Sequence, residues 1–176
     1  MAESVRPIHG QGKCPTRQII VRCGSLLTHS ECEQLRSLML AAILHPASRY
    51  DAEQSRTWAN NVPAIANLQE RLAPQQLVLA VEEEVLQGFM SLADDGLIDL
   101  AFIAPEYQGT GLFAALLTDV ERAASARGLA WLGAKASLNA VGPFQRRGFS
   151  VLDREDVTLP GSGRSLTRFH VEKPLT

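Results

Sequence analysis

Apolar positions along this chain follow two periods, and the switches between them outline the elements. Gln18 to Cys23 is a short apolar run, read as a first strand. From Thr28 the period becomes helical. Leu35, Leu38, Met39, Ala42 and Ile43 share one face up to about Leu44, and Pro46 ends the run. Two frames could open this helix, the capping box Thr28-His29-Ser30-Glu31 or Ser30 with Glu33. Asp51, with Gln54 three residues on, opens a short helix from Ala52 to Ala59 that carries Trp58. A further helix runs from about Ala64 to Leu72 and stops before Pro74. Gln76 to Val81 and Leu86 to Ala93 are strands joined by the acidic turn Glu82-Glu83-Glu84. The turn Asp94-Asp95-Gly96 leads into Ile98 to Ala104, apolar except for Asp99, as expected of a strand covered on both faces. Pro105 closes it. From Leu112 the helical period returns through Ala115, Leu116, Val120, Ala123 and Ala124, with Gly128 as the stop. Leu129 to Ala136 is a strand, Asn139 to Arg147 a short helix, Phe149 to Leu159 a strand, and Arg164 to Val171 the last strand. Residues 1–17 show no period and read as a flexible tail, which leaves 18–176 as one α/β domain.

Composition narrows the function classes. The chain has 176 residues, 45% of them hydrophobic and 20% charged, with a formal net charge of -2, so it offers no electrostatic footprint for nucleic acid or an anionic membrane surface. No apolar run approaches the ~20 residues of a spanning helix. The N-terminus lacks the pattern of a signal peptide, so a cytoplasmic address is the default expectation. Cys14, Cys23 and Cys32 stand nine apart, and the four histidines are scattered. Neither spacing fits a metal site, and none is expected.

The chemistry concentrates between residues 98 and 113. A strand, a turn holding Gly109 and Gly111, and a helix start would aim free N–H groups and the positive end of the helix dipole at one point, an anion site. Three phosphate ligands compete. A Walker loop requires a Gly-Lys pair, which this turn lacks. Gly109-Thr110-Gly111-Leu112-Phe113-Ala114 fits the G-x-G-x-x-A of a dinucleotide fold. However, Lys135, Ala136 and Ser137 occupy the place of the acid that would hold the ribose, and the preceding strands form a meander.

The third possibility rests on resemblance. Gln108-Gly109-Thr110-Gly111-Leu112-Phe113, after a strand ending in hydrophobic-x-Pro-x-Tyr and followed by Ala115 to Leu117, resembles the Q/R-x-x-G-x-G/A turn of the GNAT superfamily of acyl-CoA-dependent N-acyltransferases. Asn139 to Phe149 resembles that family's second signature, and the element order from Gln18 to Glu172 is similar to the family order. The resemblance implies a mixed, mainly antiparallel sheet that splays beside its central strand, flanked by helices. It implies acetyl-CoA as cosubstrate, with the pyrophosphate on the amides of Gln108, Gly109, Thr110, Gly111, Leu112 and Phe113. The pantetheine arm would lie along the backbone of Phe102 and Ile103 and against Asn139, although Asn139 also suits a helix cap. The acceptor would be a primary amine, small molecule or peptide, that attacks the thioester directly. A homodimer through C-terminal strands would be in keeping with the family.

Two positions depart from the family pattern. Phe113 stands where Gly or Ala is usual, and Phe144 where many members carry a tyrosine general acid; phenylalanine has no proton to give. These departures raise the alternative of a domain that binds acyl-CoA without transferring it. Asp99 is the candidate base or substrate anchor, with desolvation expected to raise its pKa. Tyr50 and Trp58 would belong to an acceptor-side wall or to the core. Lys135 reads as a solvated strand end or a contact to an acid, and Arg146 and Arg147 as surface charges within reach of the 3′-phosphate.

Overall fold

The computed structural model describes residues 4–7, 16–160 and 163–175. In chain order the elements are β1 (Ser4–Pro7), β2 (Gln18–Cys23), α1 (His29–Ile43), α2 (Ala52–Asn60), α3 (Ile65–Leu72), β3 (Gln76–Glu82), β4 (Val85–Leu92), β5 (Leu97–Ile103), α4 (Leu112–Ala126), β6 (Trp131–Ser137), α5 (Val141–Arg146), β7 (Ser150–Thr158) and β8 (Ser165–Pro174). Of the stretch read as a tail, residues 1–3 and 8–15, Cys14 included, lie outside the described residues. Ser4–Pro7 instead pair antiparallel with β2.

Local signals decide the helix starts. Thr28 Oγ1 accepts from the Glu31 amide at 3.2 Å and Glu31 Oε2 accepts from the Thr28 amide at 2.8 Å, so Thr28, not Ser30, opens α1. Asp51 Oδ1 accepts from the amides of Glu53 and Gln54, and Gln54 Oε1 closes the box on the Asp51 amide, which fixes the start of α2 and hence where Trp58 emerges.

The eight strands form one sheet in the order β1-β2-β3-β4-β5-β6-β8-β7, antiparallel throughout except for β5 and β6. Strand alternation sorts the core into two layers. Val78, Ala80 and Met90 face α4 and α5, where Leu116, Val120 and Phe144 pack. Leu77, Leu79 and Phe89 face the other way, against Leu35, Leu68 and their neighbours on α1 and α3. Each fully buried aliphatic or aromatic side chain contributes roughly 1.5–3 kcal/mol.

Alternation fails at one point. Ser91 opposes Leu100 and Leu92 opposes Ile98, so Asp99 is the extra residue of a β-bulge in β5. Ile98 therefore packs with the α4 layer and Leu100, two positions on, with the α1 layer. The fully buried Ser91 stabilises the kink by accepting the Leu100 amide on Oγ at 3.1 Å.

Next to the bulge the sheet divides. Among the described residues, β5 and β6 pair at Leu97 with Gly133 and Ile98 with Ala134 and nowhere further, while β6 stays paired to β8 from Trp131 to Ser137. The closed end is held by the Gly133 amide donating to the Gly96 carbonyl at 3.1 Å. Gly96 sits at φ +95°, where a Cβ would lie 2.7 Å from the Trp131 carbonyl oxygen, so this approach requires glycine. No helix among the described residues is long and apolar enough to cross a membrane.

Candidate active site

A cleft of about 870 Å³ occupies the opening between β5 and β6 and extends to the start of α4 on one side and to α2 on the other. One end is built from backbone. Gly109 and Gly111 stand at φ +75° and +84°, a conformation that side chains resist. Gly111 is the N-cap of α4 and gives it no side-chain cap. The amides of Leu112, Phe113 and Ala114 precede the first complete helical turn and have no carbonyl behind them to bond. A Cβ at Gly109 or Gly111 would meet nothing within 4 Å, so the ground in front of these amides is open. Two side chains brace the turn: Gln108 Nε2 donates to the Ile103 carbonyl at 3.2 Å, and Thr110 Oγ1 to the Tyr107 carbonyl at 2.7 Å. The Leu112 side chain is buried beneath the helix, which leaves its amide as the group facing the turn. Converging donors on open ground, next to a helix N-terminus, fit adjacent phosphates.

Phe102 and Ile103 both line the cleft, from opposite faces of β5. The Phe102 ring stacks on Phe89 at 5.9 Å and meets Trp58 at 6.2 Å. Trp58 in turn meets Tyr50 edge to face at 5.5 Å, so these aromatics form one wall. Tyr50 is buried and acts as a latch: its hydroxyl donates to the Thr167 carbonyl and accepts from the Leu138 amide. Asn139 lines the cleft but caps nothing, since the N-cap of α5 is Ala140 and makes no side-chain bond. The Asn139 side chain instead accepts from the Arg49 amide at 2.8 Å and donates to Ser48 Oγ at 3.2 Å, tying the loop after α1 to the end of β6.

Phe113 turns away from the glycine turn and packs edge to face on Phe144, with ring centroids 5.0 Å apart, and Phe144 packs on Phe149 at 4.9 Å. Phe144 is 1% exposed.

The Asp99 carboxylate faces a different environment from the one its apolar strand suggests. Arg71, in the last turn of α3, donates from Nε to Oδ2 at 2.8 Å and from Nη2 to Oδ1 at 2.5 Å, and Gln75 Nε2 donates to Oδ2 at 2.8 Å. Desolvation is the largest single influence and pushes the pKa up. The hydrogen bonds from Arg71 and Gln75 and the charges of Arg71 and Lys135 together outweigh it, so the carboxyl is held below its ordinary value. The expectation of a raised pKa is corrected. Burial does act on Asp99, but two donors 28 and 24 residues away in sequence compensate it, and no local spacing advertises them.

Lys135 is exposed, lines the cleft and makes no ion pair or hydrogen bond among the described residues. Arg146 is exposed at the cleft edge. Arg147 is half-buried and held by Thr118 Oγ1 at 3.1 Å, with Glu121 at 3.7 Å. Sequence reading missed Arg71, Gln75, Arg49 and Arg168, whose roles depend on which elements lie side by side. Among the described residues no group of three or more His, Cys, Asp or Glu stands together as metal ligands would.

Comparison with known proteins identifies the family and the fold. Residues 46–158 match the family model of the acetyltransferase (GNAT) domain. The uncharacterized N-acetyltransferase YafP of Escherichia coli (strain K12) is 29% identical over 131 residues, 74% of this chain and 82% of that protein. The crystal structure of a GCN5-related N-acetyltransferase from Rhodopseudomonas palustris superposes with a TM-score of 0.78 at 27% identity, over 95% of this chain and 99% of that one. The structure of yncA from Salmonella typhimurium, solved with its cofactor acetyl-CoA, shares the fold at a TM-score of 0.63 and 17% identity, over 90% and 94% of the two chains.

Proposed function

The chain belongs to the GNAT acetyltransferase family, and we propose that it moves an acetyl group from acetyl-CoA to a primary amine by direct attack. The observation that carries this reading is the opening between β5 and β6, which pair at two positions and then separate directly beside the uncapped start of α4. The residues there suit the cosubstrate. The amides from Gln108 to Phe113 would hold the pyrophosphate, and the open edge of β5 beside Phe102 and Ile103, where Ile103 faces away from β4 and its carbonyl accepts from Gln108 Nε2, would pair with the amide groups of the pantetheine arm. Asn139 would contact the same arm from the β6 side. Acetyl-CoA supplies the thioester, and the relative solved with it, although similar only in fold, supports that choice.

The chemistry assigned to this chain is modest. The amine arrives as an ammonium and loses one proton to solvent in the cleft. Its lone pair then forms a C–N bond to the acyl carbon, the C–S bond breaks, and the electron pair leaves with sulfur. The second nitrogen proton passes to the thiolate through water. Backbone N–H groups on the open edge of β5 would polarise the carbonyl. With its pKa held down, Asp99 is a weak base, so its part is to anchor the incoming ammonium. Phe144 donates no proton.

Steady-state thiol release with acetyl-CoA and a panel of amines tests the reading. Turnover with intersecting initial-rate lines is expected for direct attack, whereas parallel lines would indicate an acetylated enzyme. The buried, proton-free Phe144 favours one competing reading, an acyl-CoA-binding domain without transfer. Clear acetyl-CoA binding with no turnover of any amine would select it.

A further inference from the structure

The cleft is far more cationic than the chain around it. Arg49, Arg71, Lys135, Arg146, Arg147 and Arg168 line it, against a single carboxylate, Asp99. Yet the whole chain carries 19 Asp and Glu to 17 Lys and Arg. Arg146 and Arg147 lie on the α5 side, and Arg147 is already held by Thr118 and Glu121 in the middle of α4. The remaining cations stand toward the acceptor. Of these, Arg71 is paired with Asp99, Arg168 with Glu155, and Arg49 donates from Nη1 to the Leu138 carbonyl at 2.9 Å. Lys135 stands on β6 across the split from Asp99, and its charge is felt there, although no ion pair joins the two. Arg71 and Gln75 donate three hydrogen bonds to Asp99, which leaves about one of the roughly four acceptor positions of its carboxylate for a ligand. The adjoining wall is apolar and aromatic, with Trp58, Phe102, Met39 and Leu159 lining it.

We infer that the acceptor is an α-amino acid with a bulky apolar side chain, or a close analogue, its ammonium at Asp99, its carboxylate at Lys135 and its body on the wall of Trp58 and Phe102. This rests on the transferase reading above, and the bond changes are the ones given there. An α-amino acid carries its two opposite charges on adjacent carbons, which matches an anion and a cation facing each other across one gap. A polyamine would bring further positive charge to a cleft already rich in it. A simple amine would leave Lys135 without a counter-charge.

The test uses the full chain with acetyl-CoA and four probes: phenylalanine, phenylalaninamide, phenethylamine and spermidine. Phenylalanine is expected to show a kcat/KM about tenfold or more above the other three. Lys135→Met should raise the KM for phenylalanine by about the same factor and leave the KM for acetyl-CoA in place, while Lys135→Arg keeps the preference. A better rate with the amide or with spermidine, or a preference that survives Lys135→Met, would overturn the assignment. If no probe turns over, calorimetry of N-acetylphenylalanine and its amide on the coenzyme A-saturated protein gives the same answer. Tighter binding of the acid supports the assignment, and equal or absent binding overturns it. Failure of acetyl-CoA itself to bind would instead remove the transferase reading. Binding of acetyl-CoA without a carboxylate preference removes only this one.

Discussion

The rings of Phe113 and Phe144 meet at right angles, 88° between planes with centroids 5.0 Å apart, and so join the first turn of α4 to α5. A large side chain at position 113 is therefore accommodated against the aromatic ring at position 144. Edge-to-face pairs contribute about 0.5–1.5 kcal/mol beyond area burial, and truncating a largely buried phenylalanine costs roughly 3–5 kcal/mol. Phe113→Ala is expected to lower unfolding free energy by about 2–4 kcal/mol in urea, somewhat less than full truncation because Phe113 is only partly buried. A double-mutant cycle with Phe144→Leu should return a coupling near 1 kcal/mol. Additivity would mean that the two rings are not energetically joined.

Gly111→Ala introduces no clash, since nothing lies within 4 Å of the new Cβ, but it forces alanine to φ +84°. The left-handed conformation costs about 1–2 kcal/mol. The methyl would also project onto the ground in front of the α4 amides. Acetyl-CoA affinity by calorimetry should fall by about tenfold or more, with a stability loss of about 1–2 kcal/mol. Undiminished affinity would move the phosphate site away from this turn.

Asp99→Asn tests the ion pair through pH. The folded carboxyl titrates below its ordinary value, so its contribution is fully present above the unfolded pKa, about 3.9, and disappears as pH falls through the lower folded value. The variant should be less stable than the parent by about 1–2 kcal/mol at pH 7, since solvent reaching Arg71, 43% exposed, screens the pair. The gap should close below about pH 4. A gap that stays constant from pH 7 to 3 would show that the carboxylate charge contributes nothing.

Ser91→Ala removes the acceptor that the Leu100 amide uses inside the bulge. An unpaired buried amide costs about 1–3 kcal/mol. Because the bulge sets where Asp99 points, the variant should also weaken amine turnover more than acetyl-CoA binding, seen as a rise in the acceptor KM. Loss of stability with unchanged acceptor KM would separate the bulge from the aim of Asp99.

Much of this was legible in the residues. The turn at Gly109 and Gly111 and the helix from Leu112 announce themselves through glycine placement and period, and Thr28 and Asp51 through capping chemistry. Asp99 was visible as an anomaly, a charge in an apolar strand, but its direction was not. Alternation assigns a side chain to a face only while the ladder is regular, and here the ladder slips by one residue between Ser91 and Leu92. Its partners Arg71 and Gln75 become neighbours only when α3 packs against the sheet. Asn139 shows the same limit: its type and place suited a cap, and the contact it makes is to a loop about 90 residues earlier.

The separation of β5 from β6 also bears on which strand edges a second chain could reach. An unpaired strand edge is an open invitation to a second chain, and most sheets defend their two outer edges with charge or irregularity. Among the described residues this sheet has four edges, because β5 and β6 each present one within the molecule. Those two face one another across a gap lined by residues of α4 and α5, with both glycines of the turn at one end. A neighbouring protein cannot bring a strand between them, whereas a slender flexible arm can, so the same hydrogen-bonding groups are available to a small ligand and withheld from aggregation.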